Sequence, residues 1–155
     1  MRFNEVSAIK CKDVTLHDDY MSIHTAKSKT DQYREGNNLL INKGVTAACP
    51  VTMLKRYIRK AKIEPTSDHF LFKPIYSNKG QCILINKTKP LSYTRARETV
   101  VARLKEVCGD RNIGLHSLRA GGASTAARAP VNERCWKRHG RWKSDLSKTV
   151  MYKIL

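Results

Sequence analysis

The stretch CKDVTLHDDYMSIHTAKSKTDQYREGNNLLI, residues 11–41, contains three runs of the β-branched and apolar residues that are typical of strands. These runs cover residues 11–16, 20–25 and 38–41. The residues HDD at 17–19 have turn chemistry, and a longer polar segment at 27–36 separates the second run from the third. The stretch therefore predicts a small antiparallel sheet of three strands, with an exposed basic hairpin loop between the last two.

After residue 41 the apolar residues change to helical spacing. Pro50 suits the first turn of a helix, and its apolar stripe consists of Val51, Leu54, Tyr57, Ile58 and Ala61. The opposite face of this predicted helix is basic and consists of Lys55, Arg56, Arg59, Lys60 and Lys62. A basic face of this kind is either simply solvated or in contact with an anion, and the sequence leaves both open.

Further helices are predicted at 92–108, where Gly109 ends the helix, at 117–127, at 132–138, and from 146 onward. Residues 63–91 contain three prolines and are predicted to form a connector. The expected fold class is α+β, mainly α, with helices packed around the small three-stranded sheet. A length of 155 residues predicts a single domain over residues 1–155.

Composition narrows the function classes. With 30 Lys plus Arg against 13 Asp plus Glu, the formal charge is +17. A polyanion is the usual partner of such a chain, and double-stranded DNA is our prediction; an acidic membrane surface or acidic protein would satisfy charge alone. No run of 18 apolar residues and no signal-peptide pattern is present, so we expect neither a membrane partner nor secretion.

The spacing of the cysteines and the absence of nucleotide-binding motifs argue against metal and cofactor chemistry. The five cysteines are widely spread, without a C-x-x-C pair, and are Cys11, Cys49, Cys82, Cys108 and Cys135. They predict reduced thiols in a nuclear or cytoplasmic protein. Neither a dinucleotide-binding nor a Walker-type glycine loop is present, nor is His-Glu-x-x-His. We therefore expect no cofactor and no metal.

Two local patterns carry candidate chemistry: LHSLRAGGA at 115–123, and RHGRWKSD at 138–145, followed by Tyr152. On a helix, His116 and Arg119 project from one face. Such a pair can present an imidazole and a guanidinium to one anion, and a guanidinium fork matches two phosphate oxygens. The pair Gly121-Gly122 removes side-chain bulk, so we expect another backbone segment to pack closely on this helix.

With these residues the chain resembles the catalytic domain of the tyrosine recombinases, the phage-integrase-like enzymes, over essentially its whole length. The phrases SKTDQYREG and RHGRWKS are similar to recombinases of eukaryotic mobile elements. Six positions match the catalytic set of this family in order: Arg2, Lys29, His116, Arg119, Trp142 and Tyr152. Glu5 matches the acidic residue that supports the first arginine, and Lys27 is the rival of Lys29.

The resemblance implies a site-specific recombinase or integrase that cleaves and rejoins DNA through a 3′-phosphotyrosine, without a metal, as a tetramer on two duplexes. Tyr152 is the implied nucleophile, and basic residues near the motifs are implied to contact DNA: Lys27, Arg138, Arg141 and Lys143. It also implies a truncated recombinase that lacks the N-terminal DNA-clamping domain and the C-terminal tail. Two alternatives stay open, namely a catalytically inactive DNA-binding remnant and a basic protein associated with RNA or ribosomes.

Overall fold

The structure, a computed structural model, describes residues 1–25, 36–85, 89–130, 132, 134, 135 and 140. The protein has an α+β fold, as the sequence predicts, with a small antiparallel sheet and four named helices among the described residues. The chain divides into two compact units. The sheet unit is Asn4–Ser92, and the helical unit combines Met1–Phe3 with the described residues from Tyr93 onward.

The three-stranded sheet has the order β1-β2-β3, with β1 at Val14–Leu16, β2 at Tyr20–Thr25 and β3 at Asn37–Asn42. Both pairings are antiparallel, and Ile23 lies opposite Val14 on one side and Leu39 on the other. The predicted strand at 11–16 is wrong over its first half. Cys11–Asp13 forms a 3₁₀ turn, because the Asp13 carboxylate accepts a hydrogen bond of 2.8 Å from the backbone N–H of Lys10.

The core of the sheet unit lies between the sheet and helix α2, Pro50–Lys60. Alternate residues of β2 are buried, namely Met21, Ile23 and Thr25. From α2, Val51 and Leu54 are buried, as the apolar stripe predicts. Full burial of an aliphatic side chain of this size contributes about 1.5–3 kcal/mol. The sequence therefore predicts this helix, its starting residue and its inward face correctly.

The predicted connector at 63–91 contains an unpredicted hairpin, with β4 at Ile75–Asn78 and β5 at Gln81–Leu84. Its two-residue loop, Lys79 and Gly80, has φ angles of 45° and 81°. This left-handed pair is the geometry that matches the twist of antiparallel strands. The hairpin is exposed along almost its whole length, so it buries little apolar surface that a sequence pattern could reveal.

The helical unit contains α3, Tyr93–Cys108, and α4, Leu115–Arg128, which contact each other. A short helix, α1 at Phe3–Ser7, spans the boundary between the units. Gly109 ends α3 as predicted: its φ is 66°, and its N–H donates to the Lys105 carbonyl at 2.9 Å. Glycine fits here because other residues adopt a positive φ only at a cost.

The described residues contain neither a membrane-spanning helix nor a metal-binding cluster. None of the described helices combines the length and apolar composition that a membrane crossing requires. Within the same described residues, no three His, Cys, Asp or Glu side chains lie together as a metal-binding group.

Candidate functional site

Helix α4 carries the His-x-x-Arg pair in its first two turns. It begins at Leu115, two residues before the predicted start, because Ser117 closes the turn ahead of it. The Ser117 N–H donates to the Gly114 carbonyl at 3.0 Å, and the Ser117 Oγ accepts from the Gly114 N–H at 3.1 Å. This local cap fixes where the first turn begins and therefore fixes the position of His116 on the helix.

His116, Arg119 and Ala123 lie on one side of α4, at spacings of three and four residues. Ala123 is buried, Arg119 is half-buried and His116 is exposed at the start of the helix. The pair therefore sits at the margin of the packed face, where the imidazole can meet solvent or a ligand while the arginine is held by protein. The structure thus brings these two predicted residues together, on one helix and one face.

The Arg119 guanidinium is tied to a second motif. Its Nη2 donates a hydrogen bond of 2.7 Å to the backbone carbonyl of Gly140, which lies 21 residues later in the chain. Gly140 belongs to the RHGRWKSD segment, two residues before Trp142. Sequence analysis missed this link because any residue can supply a backbone carbonyl, and so the sequence contains no signal for it.

Among the described residues, no backbone segment packs closely on Gly121-Gly122. Both glycines are exposed, and a Cβ added at either would meet nothing within 4 Å. At about 100° per residue, Gly121 lies nearly opposite Ala123 on the helix, and Gly122 lies at the flank of the side that contains Ala123. No described residue therefore covers this side of α4.

Arg2 is half-buried and belongs to the same compact unit as α4. The next residue, Phe3, contacts Tyr93 at the start of α3 with ring centroids 5.3 Å apart and planes at 82°, an edge-to-face contact. This aromatic pair holds the beginning of the chain on the helical unit. The predicted supporting residue Glu5 is half-buried and falls within the sheet unit.

The remaining predicted site residues lie outside the described residues. They are the predicted catalytic residues Tyr152, Lys29 and Trp142 and the predicted DNA-binding residues Lys27, Arg138, Arg141 and Lys143. Among the described residues, the structure joins Arg119 to the Gly140 carbonyl and places His116 on the same face of α4, while Arg2 shares their compact unit. Such a group offers cationic and imidazole donors, which suit the binding of an anion such as a phosphodiester.

Comparisons with known proteins add no assignment to this geometry. The chain matches no protein-family model, and a comparison with curated proteins gave no match.

Proposed function

We propose that this chain is an integrase-like, mainly helical catalytic domain that cleaves and rejoins double-stranded DNA through a covalent 3′-phosphotyrosine. The hydrogen bond from Arg119 to Gly140 is the observation that carries the proposal, because it connects the His-x-x-Arg helix to the segment that leads to Trp142 and Tyr152. The net charge of +17 supports a nucleic-acid partner, and the resemblance in sequence supports a nuclear mobile-element recombinase.

In this proposal Arg2 and Arg119 bind the non-bridging oxygens of the scissile phosphate. Two guanidinium groups offset the charge that develops in the pentavalent transition state. A guanidinium has five N–H donors, so the bond to Gly140 is compatible with a phosphate partner. Removal of one charge-stabilising donor typically lowers a rate by about 10²–10³-fold, which sets the expected effect of Arg119→Ala.

The covalent step moves two protons. The Tyr152 phenolic oxygen attacks phosphorus, the bond from phosphorus to the 5′ oxygen breaks, and His116 assists removal of the phenolic proton. Lys29 gives a proton to the departing 5′ oxygen, and the Trp142 N–H binds the phosphate. Because the phosphotyrosine retains the energy of the broken bond, the attack of a 5′ hydroxyl rejoins the DNA without ATP.

Covalent trapping tests the proposed reaction. The protein is incubated with nicked duplex DNA from which the short 5′-hydroxyl fragment escapes after cleavage, and the products are separated on a denaturing gel. We expect a protein–DNA adduct with the unaltered chain and none with Tyr152→Phe, which keeps the ring and removes the nucleophile.

Two further results test the assignments of Tyr152 and Arg119, and a third tests the enzymatic activity itself. An adduct that persists in Tyr152→Phe would refute Tyr152 as the nucleophile. Arg119→Lys keeps the charge but not the fork, so we expect a slower adduct with preserved helix content by circular dichroism. Binding of DNA without any adduct from the unaltered chain would contradict the enzymatic proposal and favour the DNA-binding remnant.

A further inference from the structure

Helix α2 and the turn that ends it carry four exposed basic side chains that the candidate site does not use. We define the α2 cationic face as Arg56, Arg59, Lys60 and Lys62, all of which are exposed. Arg56 is three residues from Arg59 and four from Lys60, so their side chains are neighbours on the helix surface. The helix sequence PVTMLKRYIRK contains no Asp or Glu that could compensate them.

Two other lysines of the sheet unit, Lys10 and Lys12, form ion pairs with a carboxylate. Lys10 and Lys12 place their Nζ atoms 2.6 Å and 2.5 Å from the Asp68 carboxylate, and these contacts lower the Asp68 pKa to about 2. By contrast, no described carboxylate forms an ion pair with any member of the α2 cationic face. Like charges at these spacings repel, so the face is an uncompensated concentration of positive charge.

The inward side of α2 is fixed, which holds the cationic face in place. Val51 and Leu54 are buried. The Tyr57 hydroxyl donates to the Leu71 carbonyl at 2.9 Å, and the Lys55 Nζ donates to the His17 carbonyl at 2.8 Å. Because the helix that carries these charges is already fixed, binding of an anionic partner requires little further loss of backbone freedom.

The end of α2 contains an unusual lysine. The N–H of Ile63 donates to the Ile58 carbonyl at 3.0 Å, and the N–H of Lys62 donates to the Arg59 carbonyl at 3.3 Å. This pattern is the Schellman motif, whose left-handed position usually holds glycine. Here that position holds Lys62, at φ 49°. The chain thus has an exposed cation where glycine would relieve backbone strain.

We infer that the α2 cationic face binds the phosphate backbone of duplex DNA, as a second contact region on the sheet unit. A cluster of exposed cations with no carboxylate partner among the described residues complements a polyanion. The contacts reach phosphates only, so the face contributes affinity that is independent of base sequence. The inference rests on the proposed function only for its choice of duplex DNA as the partner.

The salt dependence of equilibrium binding tests this inference. Arg56→Gln/Arg59→Gln removes two charges from the face, and the control Lys10→Gln/Lys12→Gln removes two charges that already form ion pairs with the Asp68 carboxylate. Each released phosphate contact changes the slope of log K against log salt by about 0.9, so we expect the slope of the first variant to be shallower by about 1.8. Between about 50 and about 200 mM salt the unaltered protein then loses about 12-fold more affinity than this variant. The control slope stays unchanged.

Lys62→Gly separates a binding role from a structural one. Glycine relieves the positive φ, so we expect a higher melting temperature together with a DNA slope that is shallower by about 0.9. Equal slopes for the two double variants overturn the inference, and so does a slope change that occurs with an RNA hairpin but not with duplex DNA. Since equilibrium binding needs no strand cleavage, these results stand whether or not a Tyr152 adduct forms.

Discussion

Cys49 occupies the N-cap position of α2 and is buried, with 2% of its surface exposed. Hydrogen bonds from Thr52 lower the Cys49 pKa to about 7, and the Gly44 N–H donates to its Sγ at 3.2 Å. Donors at a helix N-terminus favour a thiolate over a thiol. Because the unfolded thiol has the higher pKa, the thiolate contributes stability fully above about pH 9 and loses it as the pH falls through about 7.

Cys49→Ser tests this linkage, because serine keeps a hydrogen-bond acceptor but does not titrate in this range. We expect the difference in unfolding free energy between the unaltered protein and Cys49→Ser to shift in favour of the unaltered protein as the pH rises from about 7 to about 9. Urea unfolding at several pH values measures it. A difference that is constant with pH would show that Cys49 stays protonated in the folded protein.

At the residue scale, sequence reasoning finds side chains with a chemical signature and misses roles of the backbone. His116 and Arg119 are recognisable because their types and spacing carry chemistry. The roles of the Gly140 carbonyl and of the left-handed Lys62 cannot be recognised from sequence, because the residue type does not determine the hydrogen-bond partner of the first or the backbone conformation of the second. In the sequence, Lys62 is one of several basic residues at the end of a helix. Only its φ angle shows that it occupies the left-handed position of the Schellman motif.

At the element scale, the open side of α4 gives a prediction about stability. Gly121 and Gly122 lie inside the helix, and an added Cβ would meet no described atom within 4 Å. Replacement of either by alanine is therefore expected to stabilise the protein by about 0.5–1 kcal/mol, since alanine loses less conformational entropy in a helix. Thermal and urea unfolding measure the gain.

Gly109 is the matched control for these substitutions. Its φ of 66° is left-handed, and an added Cβ there also meets no described atom within 4 Å, so only the backbone conformation distinguishes it. Gly109→Ala is expected to destabilise the protein by about 1 kcal/mol. Loss of stability at Gly121 or Gly122 would instead indicate that another part of the chain packs on that side of α4.

The predictability of each element follows from how much apolar surface it buries. Strand β2 and helix α2 bury alternate or helically spaced residues, and their bounds could be predicted from period alone. The hairpin β4–β5 exposes Ile75, Tyr76 and Ile83 by 51–56%, so no buried pattern marks it. Its loop also lacks an Asn-Gly or Asp-Gly pair, because Lys79 takes the first left-handed position.

At the scale of the whole molecule, the pattern of apolar residues was sufficient to predict the α+β class but not the division of the chain into two compact units. The helical unit consists of two segments of the chain, the first three residues and the residues from Tyr93 onward, which Phe3 and Tyr93 join by their ring contact. The 89 residues 4–92 separate these two segments in sequence. A contact over such a separation depends on the complete fold, and a local pattern of apolar residues does not record it. The position of Arg2 in the helical unit is therefore a result of the three-dimensional structure.

Together with the proposed binding of duplex DNA, the charge of +17 predicts opposite salt effects for the free and the DNA-bound protein. Self-repulsion destabilises the compact state, and salt screens it, so we expect the melting temperature of the free protein to rise between about 50 and about 200 mM salt. In the proposal, duplex DNA binds the folded state, and a ligand at 100 times its Kd stabilises that state by about 2.7 kcal/mol, a gain that we expect to shrink as salt weakens binding. Melting curves with and without DNA should therefore converge as salt increases. A free protein whose melting temperature falls over this range would show that attractive ion pairs outweigh the repulsion, and would contradict the view that a polyanion is needed to balance the charge.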